Sequence, residues 1–332
     1  MEEMIIMENY KALVLSNKED IYSVNYEEML VNELSLGELR IKMEFSSVNY
    51  KDRLAMNKKS KVVRSYPMIP GIDFSGSVVE SKSKDFKAGD QVFVTGFGFG
   101  TDMPGGFREF IEINEKYVNQ VPEGMTTREV MVYGTAGFTA ALSVDAILES
   151  GVRPEDGPVL VTGGSGGVAI AALIILKHLG YQVCIATRNL NRNDYFLSLG
   201  ADEIMNFSSL LEPRKALSKE TWAAAVYATG GQALGNLLKE VKYGGIVALS
   251  GNLSGIEFTT NVFPFILRGI TLKGIDSVNV DVAKKDRIFK KLAKEWKSPL
   301  IEKAIRSEIP FLELKQALEQ EPVGEGRDLV VF

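Results

Sequence analysis

The sequence predicts an α/β protein of two domains: an antiparallel β barrel or sandwich, and a doubly wound parallel sheet. Three observations carry this expectation. Short apolar segments parted by Gly and Pro turns fill the first 130 residues. Strand-like and helix-like stretches then alternate over 133–275, the pattern of a parallel sheet covered on both faces. β character returns after residue 300. The domains are therefore expected at 1–130, 131–299 and 300–332, the last segment re-entering the first domain. At 332 residues the chain is long enough for two cores.

The first domain is anchored by 39–46, Leu-Arg-Ile-Lys-Met-Glu-Phe-Ser, which alternates apolar and polar side chains throughout, as a half-buried antiparallel strand does. Further strands are expected at 10–15, 74–80, 91–94 and 107–113. Turns at Pro70-Gly71, Ala88-Gly89-Asp90 and Pro104-Gly105-Gly106 separate them. In the second domain strands are expected at 159–161, 183–186, 203–205, 224–227, 246–250 and 271–275, with the last at the sheet edge. The tail reads as a strand at 304–310, a helix at 312–319 and a strand at 329–332.

The most informative segment is Leu160-Val161-Thr162-Gly163-Gly164-Ser165-Gly166-Gly167-Val168-Ala169. An apolar strand enters a glycine-dense turn that opens an apolar helix. Such a turn lets backbone N–H groups close on a pyrophosphate at a helix N-terminus, where the helix dipole favours anions. Gly164, Gly166 and Ala169 satisfy the Gly-x-Gly-x-x-Ala form of the dinucleotide fingerprint. Glycines alone are weak support, since any tight strand-to-helix turn favours them. Here the helix ends near Gly180 and a second strand, Val183-Cys184-Ile185-Ala186, completes the β-α-β unit.

The residues after that strand bear on which dinucleotide is held. An NAD site places Asp or Glu there for the ribose 2′-hydroxyl. This chain has Thr187-Arg188-Asn189, with Arg192 beyond, and no carboxylate before Asp194. A guanidinium and a hydroxyl suit a 2′-phosphate, so NADPH is expected over NADH. The alternative leaves Arg188 and Arg192 as solvated surface charges.

Composition narrows the chemistry. The formal net charge is −5 and nothing forms a basic nucleic-acid footprint. No apolar run reads as long enough to span a bilayer, and the opening segment is too acidic for a signal peptide, so the expectation is a cytoplasmic protein. The single Cys184 excludes an intrachain disulfide. With His178 the only histidine, a zinc site of three or four such ligands is hard to assemble, as is a Ser-His-Asp or Cys-His hydrolase. A helix-surface His178 and a core Cys184 are expected.

Four motifs in order resemble the zinc-free quinone-oxidoreductase branch of the medium-chain dehydrogenase/reductase superfamily, and more closely its NADPH-dependent acryloyl-coenzyme A reductases. They are Ser47-Val48-Asn49-Tyr50-Lys51-Asp52, Tyr66-Pro67-Met68-Ile69-Pro70-Gly71-Ile72-Asp73, Tyr133-Gly134-Thr135-Ala136-Gly137-Phe138-Thr139-Ala140, and Pro264-Phe265-Ile266-Leu267-Arg268-Gly269 with Gly274-Ile275-Asp276-Ser277. The resemblance implies a GroES-like barrel beside a Rossmann domain, with the active site in the cleft between them. It implies cofactor contacts at Tyr50, at Ser165, Gly166, Gly167 and Val168, and at Thr187, Arg188 and Asn189, with Asn252, Ile266 and Ser277 near the nicotinamide half. The chain departs from the family at Ala169 for the usual glycine, at Tyr227-Ala228-Thr229 for an Asp-led turn, and at Asn252 for an apolar residue.

An NADPH enzyme without metal can reduce an activated C=C bond by conjugate hydride transfer, provided donors stabilise the developing enolate. Tyr50 is the expected catalytic residue, with Asn49 and Asp52 beside it. Its phenol can orient the cofactor amide, donate to the enolate oxygen or relay a proton; the alternative is a packed tyrosine bonded to a backbone carbonyl. Tyr66 and Tyr133 are secondary candidates. Lys58, Lys59, Lys61 and Arg64 could meet the phosphates of a coenzyme A ester, or simply be solvated. Arg268 is expected on the acceptor side. Rival functions are an NADPH:quinone reductase and a non-catalytic NADPH-binding protein. Pairing of the 271–275 edge across a two-fold axis predicts a homodimer.

Overall fold

The computed structural model describes residues 9–19, 21–321 and 323–332. Of the acidic opening segment, only Asn9 and Tyr10 fall among them. The chain forms two compact units. The first comprises Met1–Thr135, Val278–Lys290 and Ile305–Phe332; the second comprises Ala136–Ser277 and Lys291–Ala304.

In the first unit, β1 (Asn9–Lys18) and β2 (Ile21–Leu30) make an antiparallel ribbon. β2 was not foreseen: few of its side chains are buried, so it carries no core-facing alternation. β3 (Glu38–Ser47) is followed by the short helix α1 (Tyr50–Ala55). Then come β4 (Asp73–Ser81), β5 (Gln91–Thr95), β6 (Phe110–Asn114) and β7 (Asn119–Gln120). β3 pairs antiparallel with both β4 and β6. Its alternation holds for Leu39, Ile41 and Met43, which are buried. A register shift between Met43 and Phe45 then changes its phase. Ser46 and Ser47 turn inward as a result, opposite to the simple alternation read from sequence. The strand expected from 107 begins at Phe110 because the backbone of Phe107 bonds instead to Leu13 and Pro70.

α2 (Thr127–Glu149) is broken at Gly134, whose φ of 48° and ψ of −154° are not helical. Against the expectation from sequence, α2 is long and apolar enough to cross a membrane, with a mean hydropathy of 1.4. Yet 94% of that stretch is buried within the protein, as befits a core helix.

The second unit alternates as expected: β8 (Val159–Thr162), α3 (Gly167–His178), β9 (Val183–Thr187), α4 (Asn193–Ser198), β10 (Glu203–Asn206), β11 (Trp222–Tyr227), α5 (Ala233–Leu237), β12 (Val241–Leu249), α6 (Phe263–Arg268) and β13 (Thr271–Gly274). The strands form a parallel sheet in the order β10-β9-β8-β11-β12-β13. Every residue of β8, β9 and β11 is buried, which is why these strands read as continuous apolar runs. The order reverses beside β8, and in such sheets ligands bind outside the carboxyl ends of the strands at that point. β13 occupies the edge.

α7 (Val282–Ala293) follows, then β14 (Ile305–Pro310), α8 (Leu314–Glu319) and β15 (Arg327–Val331). β15 lies parallel to β14 and antiparallel to β3. The C-terminal segment thus completes the sheet of the first unit.

Candidate active site

In the second unit the glycine turn joins β8 to α3. Gly164 has a φ of 37° and lies against β9: a Cβ there would sit 2.6 Å from Thr187 Oγ1. Only glycine permits both the conformation and the approach. Ser165 and Gly166 are exposed, and Gly167 and Val168 half-buried. The Gly166 N–H is spent inside the turn, on Gly163 O at 2.8 Å. The N–H groups of Gly167 and Val168 open α3 and have no intrahelical acceptor. Ala169 is buried beneath the turn.

Thr187 is buried at the end of β9, and its Oγ1 accepts from Asn189 N at 3.1 Å. Asn189 Oδ1 accepts from Asn191 N and shapes the next turn. Arg188 is exposed, its guanidinium 6.0 Å above the Phe207 ring. Arg192 is half-buried, and Asp194 is exposed on α4. The structure therefore brings Ser165, Gly166, Gly167 and Val168 together with Thr187, Arg188 and Asn189 at neighbouring strand ends.

The turn after β11 is built with hydroxyls. Thr162 Oγ1 accepts from Ala228 N at 3.0 Å and lies 3.3 Å from Thr229 Oγ1. The Tyr227 hydroxyl donates to Gly230 O, and burial pushes this phenol up to about 12. Ser254 N donates to Thr229 O at 2.6 Å, tying the loop that carries exposed Asn252 to this turn. Ser277 Oγ accepts from Thr139 Oγ1 at 2.8 Å. Ile266 lies on α6, 67% exposed, among exposed Phe263 and Leu267. Arg268, expected on the acceptor side, is instead a buried clamp. It donates to Lys239 O, Val241 O and Ser218 O, and Glu220 stands 3.5 Å away. Its hydrogen-bonding capacity is taken up by backbone.

Tyr50, in the first unit, is the first residue of α1 and is 63% exposed. The packed alternative is not what the structure holds: among the described residues nothing hydrogen-bonds its hydroxyl. Tyr66 packs edge-on against Tyr22, and Tyr133 is buried. Burial, then Glu129, drives the Tyr133 phenol far above its ordinary range, which does not suit it to proton transfer. The Lys58, Lys59, Lys61 and Arg64 side chains are exposed, with Arg64 Nε 2.8 Å from Asp102.

Beneath Tyr50 three of the four family motifs meet. Asp52 Oδ2 accepts from Asn49 N at 2.8 Å, and its Oδ1 accepts from Gly71 N and Ile72 N at 3.0 Å each. Asp73 Oδ1 accepts from Ser47 N and Ser47 Oγ; its Oδ2 accepts from Asn49 Nδ2 and Thr135 N. A Cβ on Gly134 would lie within 2.7 Å of Ser47 Oγ, Arg327 Nη2 and Asp73 Oδ2, so the break in α2 requires glycine. Burial, then the nearby Asp73 charge, pushes the Asp52 carboxyl up to about 7 against the pull of its three backbone donors. Neither Asp73 nor Arg327 had been assigned a role from sequence. The signal for Asp73 was its place in a motif; Arg327 stood in none.

This fold and its glycine turn are those of the medium-chain dehydrogenase/reductase superfamily, to which the chain belongs. Residues 35–123 match the alcohol dehydrogenase GroES-like domain, and 167–294 the zinc-binding dehydrogenase family. Acrylyl-CoA reductase AcuI of Ruegeria pomeroyi is 38% identical over 310 residues, covering 91% of this chain and 94% of that one. The yhfP protein of Bacillus subtilis, solved with NAD bound, is 37% identical with a TM-score of 0.94 over 98% of this chain and 100% of its own. The yhdH oxidoreductase of Salmonella enterica, solved with NADP, is 35% identical with a TM-score of 0.91 over 97% and 99%.

Zinc, which the second family description names, does not fit these residues. His178 is exposed with Nε2 3.1 Å from Glu295 O. Cys184 is buried in β9, where burial and Glu203 push its thiol up to about 12. Among the described residues no three His, Cys, Asp or Glu side chains gather as a metal site.

Proposed function

We propose that this protein is a metal-free, NADPH-dependent reductase of activated C=C bonds, acting on acryloyl-CoA or a similar enoyl thioester. The observation that carries this reading is the Gly164–Thr187 approach with Arg188 exposed beside it and no carboxylate at the end of β9. The relatives are solved with NAD in one case and NADP in another, so the preference for a 2′-phosphate is argued from Arg188 itself.

Ser165, Gly166, Gly167 and Val168 would hold the pyrophosphate and Thr187, Arg188 and Asn189 the phosphorylated ribose, with Asn252, Ile266 and Ser277 toward the nicotinamide. Bound there, NADPH supplies a hydride for the β-carbon of the acceptor. The charge that develops on the thioester oxygen would be met by the uncommitted phenol of Tyr50, and a proton delivered to the α-carbon from a side chain or water would complete the reduction. Lys58, Lys59 and Lys61 supply positive charge for coenzyme A phosphates. We further infer a cytoplasmic homodimer. Leu253, Ile256, Val262, Phe263 and Leu267 are exposed apolar residues on the segment leading to the β13 edge, and a second copy would cover both.

The test is NADPH oxidation with acryloyl-CoA against a benzoquinone. Turnover of the thioester at the higher kcat/KM is expected. Preference for the quinone would reassign the acceptor, and tight NADPH binding without turnover of either would make the protein a binder. A KM for the thioester that rises steeply with salt, unlike that for the quinone, would tie the lysines to the acceptor.

A further inference from the structure

We propose that Asp73, together with Arg327, is the positioning centre for Tyr50, acting through the side chain of Asn49. The inference rests on the reading of Tyr50 as the catalytic phenol.

Asp73 is completely buried at the start of β4. Its carboxylate gathers four donors: Ser47 N at 3.1 Å, Ser47 Oγ at 2.7 Å, Asn49 Nδ2 at 2.9 Å and Thr135 N at 2.8 Å. Arg327, also buried, approaches from β15, with Nη2 3.9 Å from Asp73 Oδ2. The same Nη2 donates to Ser47 Oγ and, at 3.4 Å, to Asn49 Oδ1. The Asn49 amide is therefore gripped at both ends, its NH₂ on the carboxylate and its oxygen on the guanidinium. That grip fixes which way the amide faces. Asn49 is the residue from which α1 starts, and its own N–H is held by Asp52. Tyr50 comes next, 63% exposed. The backbone before it is locked by the buried network, and the backbone two residues after it by Asp52.

An apolar cluster would fill this space without the desolvation that a buried carboxylate and guanidinium incur, and Arg327 Nε has no hydrogen-bond partner among the described residues. The benefit is directional: a single orientation for Asn49, and hence a single departure angle for α1 and Tyr50. Catalytic geometry is sensitive at this scale, since a displacement of about 1 Å can cost roughly a hundredfold in rate.

The experiment places 3-fluorotyrosine at position 50 and compares the full-length protein with its Asp73→Asn and Asn49→Ala variants. Asn49 is only half-buried, so Asn49→Ala breaks the link even if Asp73→Asn fails to fold, which thermal melting reports. The expected result is a displaced or broadened ¹⁹F resonance for residue 50 in each folded variant. The kcat on acryloyl-CoA should fall about tenfold or more, with NADPH affinity within about twofold of the parent. In a Tyr50→Phe background, Asn49→Ala should cost less than about twofold further, because the step it supports is already lost. An unchanged resonance at position 50, or equal losses from Asn49→Ala in both backgrounds, overturns the proposal. Absence of thioester turnover in the parent overturns the functional reading alone, and the resonance still decides the positioning role.

Discussion

Gly164 and Arg188 carry the cofactor reading between them, and each can be tested singly. Gly164→Ala puts a methyl 2.6 Å from Thr187 Oγ1 at a φ of 37°. The turn must then open, at a cost of about 1–3 kcal/mol. NADPH affinity, followed by nicotinamide fluorescence, should weaken roughly tenfold or more. Arg188→Ala would remove the proposed charge-assisted contact with the 2′-phosphate, worth about 1.5–3 kcal/mol. The KM for NADPH should rise roughly ten- to a hundredfold while that for NADH barely moves; equal rises would remove the 2′-phosphate assignment. The placement of these two residues was legible in sequence because both lie within a short β-α-β unit. Arg268 was not, since its partners Ser218, Lys239 and Val241 lie 27–50 residues away and nothing local marks it as a clamp.

At the scale of elements, β8, β9 and β11 were plain because both their faces are buried. β12 was read five residues late, since Lys242, Tyr243 and Gly244 at its start are not buried and break the apolar run. In β3 the bulge, which no propensity marks, reversed the inward face and created the polar floor under α1. α3 was the clearest helix, buried from Ala169 through Leu176. Leu173→Ala in its centre should cost about 2–5 kcal/mol, read as a lower urea midpoint.

The entry to α1 also predicts a pH dependence. The Asp52 carboxyl moves from 3.8 to about 7, first through burial and then through Asp73, with Arg327 also facing the pair. Between those values the folded protein binds a proton that the unfolded chain has released. Stability from this group is therefore complete below about pH 4 and declines as pH rises through about 7. Urea midpoints of the parent should fall relative to Asp52→Asn between pH 5 and 8. Parallel profiles would show that Asp52 stays ionised throughout.

For the whole molecule, the edge position of β13 and the apolar residues around α6 argue for association. Light scattering at micromolar concentration should give the mass of two chains, and Phe263→Lys with Leu267→Lys should give one. A single-chain mass for the parent would refute the dimer.

The strand that carries Arg327 has a temporal consequence as well. β15 seals β3 across some 280 positions of chain, and contacts of such separation form late. A polypeptide halted on the ribosome just short of Arg327 would leave β3 with an open ladder and α1 without its counter-charge, even with the nucleotide-type sheet already complete. Arrested chains of that length should be cut by protease within the first 135 residues, while extension through Val331 should close the region to attack.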